Sequence, residues 1–310
     1  MNSENHTVKQ HYVPRAFLAR WCNTNDEFYP IKIVSKKPAK LDILRKSGAY
    51  PFCHENYFYA NEQGKKDSFS QKAEEMFTSI EAVMYDVLDS FEKKVIDNKR
   101  ITFEDKEALA GVMLFLHLRG KKQIEHSKKL TTEMTRKIYG LHLKAKGDEY
   151  YEKIGLTKED ALRFNEEMSV DIGTAHHLKQ LANLEEFAFH IAHKYWRINI
   201  SKKGEFIVTD TPYLDLPVKQ TGFWGNSIYE REQLFTFSPN IHISIVQPTS
   251  RDSKNTNRRD ITNNPILVDR LNSLSLMNAV MFGFHSNEKI LVRIKNYVDK
   301  VSGPTKMPLN

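Results

Sequence analysis

The chain has 310 residues, 40% of them hydrophobic and 27% charged, which is enough apolar material for a substantial core and argues against disorder as the main state. Its net charge of +7 favours an anionic partner, with nucleic acid the first candidate. The two cysteines, Cys22 and Cys53, lack Cys-x-x-Cys spacing and read as free thiols. There are only 13 glycines, no Walker loop and no Gly-x-Gly-x-x-Gly sequence, which disfavours nucleotide-cofactor enzymes of those classes. The opening "MNSENHTVKQH" has no apolar leader and no apolar run reaches ~18 residues, so the expectation is a cytoplasmic protein with no membrane partner.

The first predicted element is "VKQHYVPRAFLARWC", Val8 to Cys22. Pro14 holds Val13 extended and starts a helix near Arg15. Phe17, Leu18 and Trp21 would then dock the strap and turn His11 inward, as a ligand, a base, a phosphate donor or simply a backbone-bonded histidine. From Asp26 to Tyr59 short apolar runs such as "FYPIKIV" alternate with basic turns and read as strands. From Ser68 the spacing turns helical, with Met76, Ile80, Val83, Met84, Val87 and Leu88 on one stripe. Thr102 and Asp105 form a capping-box start to a second helix, and Thr157 and Asp160 to another; the helical pattern ends near Trp196.

After Trp196, "WRINI", "EFIVTD", "QLFTFSP" and "HISIVQP" read as strands, "TSRDSKNTNRRDITNNP" as an exposed loop, "VDRLNSLSLMNAVMFGF" as a helix, and "KILVRIKNYV" as a strand or short helix. The fold class is α+β: a helical middle (about 68–196) flanked by an N-terminal strap and strands (1–67) and a C-terminal antiparallel strand-rich part with a final helix (197–310), together one domain over 1–310.

The order of "KQHYVPRAFLARW", "ENYFY", "FIVTDTPY" and "FTFSPNIHISI" resembles the bacterial domain-of-unknown-function family numbered 4238, over Lys9 to about Ser286. The resemblance implies family positions at His11, Pro14, Glu55, Asn56, Glu74, Glu81, Arg119, Asp210, Pro212, Ser238 and Pro239. Thr211 departs from the Ser-Asp-Asn-Pro run often found there, while Asp210 is retained.

Glu74 and Glu81 are seven residues apart, two helical turns, so both carboxylates share a face. With His11 and Asp210 they could form a carboxylate–imidazole site for Mg²⁺ or Mn²⁺; the alternative is a solvated helix surface. Arg119 precedes His126 by seven residues, which looks like the Arg-to-His spacing of HEPN-type ribonucleases and would allow metal-free RNA cleavage; Gly120 stands where a polar residue is often found, and a partly buried arginine bridging helices is the alternative. Asp210 ends a strand, as a site residue or a turn cap. His190 and His193 lack a third local ligand, His176 and His177 have still less context, and Ser238 lacks a nucleophile-elbow context.

The expected function is a nucleic-acid phosphodiesterase, toxin-like or phage-defence in setting, with His11, Arg119 and Asp210 as catalytic groups and Glu74 and Glu81 as metal ligands. The alternative is a non-enzymatic module that binds nucleic acid or protein. Convergence of His11, Arg119 and Asp210 in one cleft would favour the enzyme; dispersal, with each satisfied by backbone, would favour the module.

Overall fold

The computed structural model describes residues 8–49, 51–60, 65, 68–168, 178–217, 231–246, 257–262 and 264–301. The chain opens with β1 (Lys9–His11), α1 (Arg15–Ala19), β2 (Glu27–Lys36), β3 (Ala39–Ile43), β4 (Ser47–Gly48) and β5 (His54–Asn56). The helical middle is α2 (Ser68–Ile96), α3 (Phe103–Leu118), α4 (Lys121–Lys144), α5 (Asp148–Ile154), α6 (Lys158–Glu167) and α7 (Leu184–Ala192). Then come β6 (Tyr195–Ile200), β7 (Val208–Thr209), β8 (Tyr213–Pro217), β9 (Arg231–Ser238), β10 (Ile241–Val246), β11 (Asn257–Ile261), α8 (Pro265–Asn278), β12 (Phe282–His285) and α9 (Glu288–Val301). The fold is α+β, and no helix among the described residues is long and apolar enough to cross a membrane.

The strap is docked. Phe17, Leu18 and Trp21 are fully buried, as their spacing predicts, and Trp21 Nε1 donates to the Phe206 carbonyl at 2.8 Å, tying the start of the chain to its C-terminal part. Helix α3 is the centre of the core. Its residues from Leu109 to Phe115 are apolar on nearly every side because it packs on α2, α7 and β8 at once. Its start carries the predicted capping box: Asp105 N–H donates to Thr102 Oγ1 at 3.3 Å, and Thr102 N–H to the Asp105 carboxylate at 2.9 Å.

Three expectations change. The buried stripe of α2 is Ala73, Phe77, Met84, Leu88, Phe91 and Val95, while Met76 and Val83 face outward; the sequence reading had taken nearby apolar residues as one face although two lie on another. The strands do not divide by chain position: one sheet runs β3-β2-β12-β7, with β4 also on β2, so both ends of the chain share it. Finally, residues 257–261, read as loop, form β11, which lies parallel to β6 at the edge of the sheet β11-β6-β10-β9-β8, making that sheet mixed rather than antiparallel. "NRRDI" has a half-exposed edge pattern with little apolar signal, which hides such a strand. Residues 249–256 and 263 of that predicted loop lie outside the described residues, as do His176 and His177. The final segment resolves as helix α9, whose Ile290, Leu291, Ile294 and Val298 pack into a second core cluster with Ile31, Ile33 and Leu41.

Candidate functional site

The strap forms one wall of a cleft of about 980 Å³. β1 pairs antiparallel with β5, placing His11 opposite His54, with their rings 5.2 Å apart. Gln10, just before His11 in sequence and fully buried, fixes this register: its side-chain oxygen accepts from Tyr59 N–H at 2.8 Å and its Nε2 donates to the Ser70 carbonyl at 3.4 Å. The alternation of a strand then turns His11 the other way, to the cleft. Below it, Arg15, Ala16 and Ala19 present the outer face of α1.

The opposite wall is a stripe of α2. Glu74, Thr78, Glu81 and Tyr85 follow one another at helical spacing and all line the cleft, next to the apolar face that anchors the helix. Arg119, the C-cap of α3, closes the floor. Its side chain is 1% exposed and sits against aromatic faces, with the guanidinium carbon 4.7 Å from the Phe77 ring centre and 5.0 Å from that of Phe115. It is also held by hydrogen bonds: Nη1 donates to the Glu81 carboxylate, Nη2 to the His11 carbonyl, and Nε to the Tyr59 hydroxyl at 3.3 Å. Tyr59 in turn donates to the His11 carbonyl at 2.8 Å. The arginine therefore ties α2, α3 and the strap together and orients Glu81.

Glu74 Oε1 and Tyr85 Oη, on two residues that line this cleft, are buried and have no hydrogen-bond partner among the described residues. Burial pushes the Glu74 carboxyl up to about 7, with Arg119 pulling it down and Glu81 adding to the rise. Burial, reinforced by the Glu81 charge, likewise raises the Tyr85 hydroxyl, which stays a neutral donor across the physiological range. Glu81 is ion-paired while Glu74 titrates near neutrality, so the two carboxyls of this helix face have different environments and suit different tasks.

Asp210 does not join them. It is 1% exposed, and its carboxylate accepts three backbone N–H groups, from Val280 at 2.8 Å, Met281 at 2.6 Å and Phe282 at 2.9 Å. It closes the turn into β12, and burial raises its pKa while those three donors pull the other way. Lys36 Nζ donates to the Ala279 carbonyl at 2.6 Å and Lys122 Nζ to that of Asn278 at 2.9 Å, placing two cations on the C-terminal end of α8. Arg119 and His126 are separated by the break at Gly120 between α3 and α4, so they do not share one helical face; Arg119 opens on the first cleft and His126 on a second, of about 720 Å³, with His117, Lys129 and Tyr213. His193 is exposed beside Phe189, and Ser238 is buried in the sheet. Both cysteines are free thiols; Cys22 borders the first cleft, with its thiol pushed up to about 11 by burial.

Among the described residues no three His, Cys, Asp or Glu side chains gather in an arrangement that could hold a metal ion. A Mg²⁺ or Mn²⁺ at Glu74 and Glu81 would have two carboxylates and would draw its other ligands from water and substrate oxygen. Thr78 and Tyr85 escaped the sequence reading. Thr78 fills the turn between Glu74 and Glu81 and Tyr85 extends the row by one turn, so the same helical spacing could have found both.

A family model described as a protein of unknown function, DUF4238, matches residues 9–289. The chain belongs to that family. The match takes in every DUF4238 position singled out above, from His11 through Pro239, and so covers both walls of the cleft. Comparison with curated proteins found no match, and comparison with solved structures found none either.

Proposed function

We propose that this DUF4238 chain is a nucleic-acid phosphodiesterase that works by acid–base chemistry in the first cleft. The observation that carries the reading is Glu74: a carboxyl held at about 7, with a buried oxygen that has no partner among the described residues, facing the cleft beside a buried arginine. A group titrating near the working pH is suited to both taking and giving a proton. Lys9 and Arg15 on the strap side of the cleft, with the net charge of +7, supply the field for a phosphate-bearing substrate.

In this reading the Glu74 carboxylate takes the proton of the attacking water or ribose hydroxyl as the new oxygen–phosphorus bond forms. His11, from the strap wall, gives a proton to the leaving oxygen as its bond to phosphorus breaks. Arg119 positions Glu81 and lends positive potential to the floor of the site. Asp210 has no chemical part in it.

A second reading, a non-enzymatic binding module, is favoured by Asp210 being satisfied entirely by backbone and by the basic residues of the second cleft. One experiment separates the two. Labelled single- and double-stranded RNA and DNA are incubated with the protein, with Mg²⁺, Mn²⁺ or a chelator, beside Glu74→Gln. Cleavage that survives the chelator and is lost in the variant supports the acid–base site. Cleavage that requires metal moves Glu74 and Glu81 to the role of ligands. Salt-sensitive retention without cleavage supports the module. A toxin-like or phage-defence setting predicts growth arrest on induction of the wild type but not of Glu74→Gln.

A further inference from the structure

The cleft is lined along α2 by Glu74, Thr78, Glu81 and Tyr85, one side chain per turn. From Glu74 to Tyr85 is eleven residues, about 16 Å of helix rise. That length exceeds a mononucleotide: at the stacked spacing of ~3.4 Å per nucleotide it takes about five units of one strand, and fewer when the strand is extended. The polar atoms with no partner among the described residues lie at opposite ends of the row, Glu74 Oε1 at one and Tyr85 Oη at the other. Tyr85 lies about three helical turns from the titrating carboxyl and lines the cleft, with its ring against the main core and its hydroxyl oxygen buried. Ala16 and Ala19 of α1 contribute small side chains to the lining of the same cleft.

We infer that the cleft is a multi-unit groove for a single strand and that Tyr85 is a positioning residue, donating its hydroxyl hydrogen to an acceptor oxygen of a nucleotide several units from the reacting phosphate. This rests on the hydrolase reading for the location of the reacting centre, and deepens it by naming a strand rather than a mononucleotide as substrate. A buried donor that meets its partner only when substrate is present contributes to holding the strand and leaves the chemical step alone.

The test uses fluorescein-labelled oligouridylates of two, four and six units with the full chain, Tyr85→Phe and Glu74→Gln, the last allowing binding to be measured by anisotropy without cleavage. Thermal unfolding of Tyr85→Phe first confirms that it folds as the wild type does. For the wild type, affinity and kcat/KM rise from the dimer to the hexamer. Tyr85→Phe loses about five- to tenfold in KM on the hexamer, as expected for one neutral hydrogen bond, with kcat unchanged and no loss on the dimer. Equal loss at every length, or none at any length, overturns the groove while leaving cleavage, and with it the hydrolase reading, intact. If the wild type binds with the same length dependence, lost in Tyr85→Phe, but cleaves nothing, the groove stands and the hydrolase reading falls. Absence of both binding and cleavage overturns both.

Discussion

Replacing Asp210 is expected to damage the fold rather than the chemistry. In Asp210→Ala the amides of Val280, Met281 and Phe282 lose their acceptor in a place where the replaced side chain is 1% exposed. An unmet buried donor costs ~1–3 kcal/mol; with partial relaxation and water entry, three of them come to about 4 kcal/mol. For a chain of 310 residues the entropy of unfolding is about 0.65 kcal/mol/K, so the midpoint falls by about 6 °C. Asp210→Asn keeps one acceptor oxygen. Because Oδ2 serves two of the three amides and Oδ1 only one, it falls between wild type and Ala, by about 2 kcal/mol. Thermal and urea unfolding of the three proteins, read by circular dichroism, measures this order. An Asp210→Ala protein with an unchanged midpoint but no activity would refute the clamp and return Asp210 to the chemistry.

Other outcomes follow from the same structure. Glu74 sits at about 7 in the folded protein against an ordinary 4.5, so the folded state keeps a proton that the unfolded chain releases; stability therefore falls as pH rises from about 4.5 to 7 and is flat above. Glu74→Gln removes that slope and is more stable than wild type at pH 8 by up to about 3 kcal/mol, matching it below pH 4.5, as urea titrations across pH would record. Arg119→Met leaves the Glu81 carboxylate without its arginine donor and the His11 carbonyl with the Tyr59 hydroxyl in place of two donors, and costs about 3–5 kcal/mol, while adding Glu81→Met recovers much of it; a double variant as unstable as the single would show that the pair is not coupled. Trp21→Phe removes the donor to the Phe206 carbonyl and some ring volume, about 2 kcal/mol by the shift in urea midpoint, and an unchanged midpoint would make the strap peripheral.

What the sequence made legible was local. Pro14 with Phe17, Leu18 and Trp21 announced a docked strap, Thr102 and Asp105 a helix start, and Glu74 with Glu81 a shared face, because each depends on spacings within a few turns of chain. Asp210 was ambiguous for the opposite reason: its partners are amides seventy to seventy-two residues further on, and nothing in "VTDTP" distinguishes a carboxylate that closes a turn from one that serves a substrate. Arg119 and His126 looked like neighbours on one helix because Gly120 alone did not announce the break between two. The role of Arg119 was half visible. A partly buried arginine bridging helices was among the readings, but the aromatic faces around it come from Tyr59, Phe77 and Phe115, on three separate segments.

The sheet β3-β2-β12-β7 bears on the order of synthesis. Strand β2 leaves the ribosome early, yet its neighbour β12 is encoded only at Phe282–His285, and translation at usual rates takes roughly ten to fifty seconds to cover that interval. Throughout it Phe28, Ile31 and Ile33, all buried in the finished protein, have no β12 beside them. Until Phe282–His285 are made, that edge of β2 is open to pairing with another strand, so a chain released before them carries an unpaired strand edge prone to aggregation.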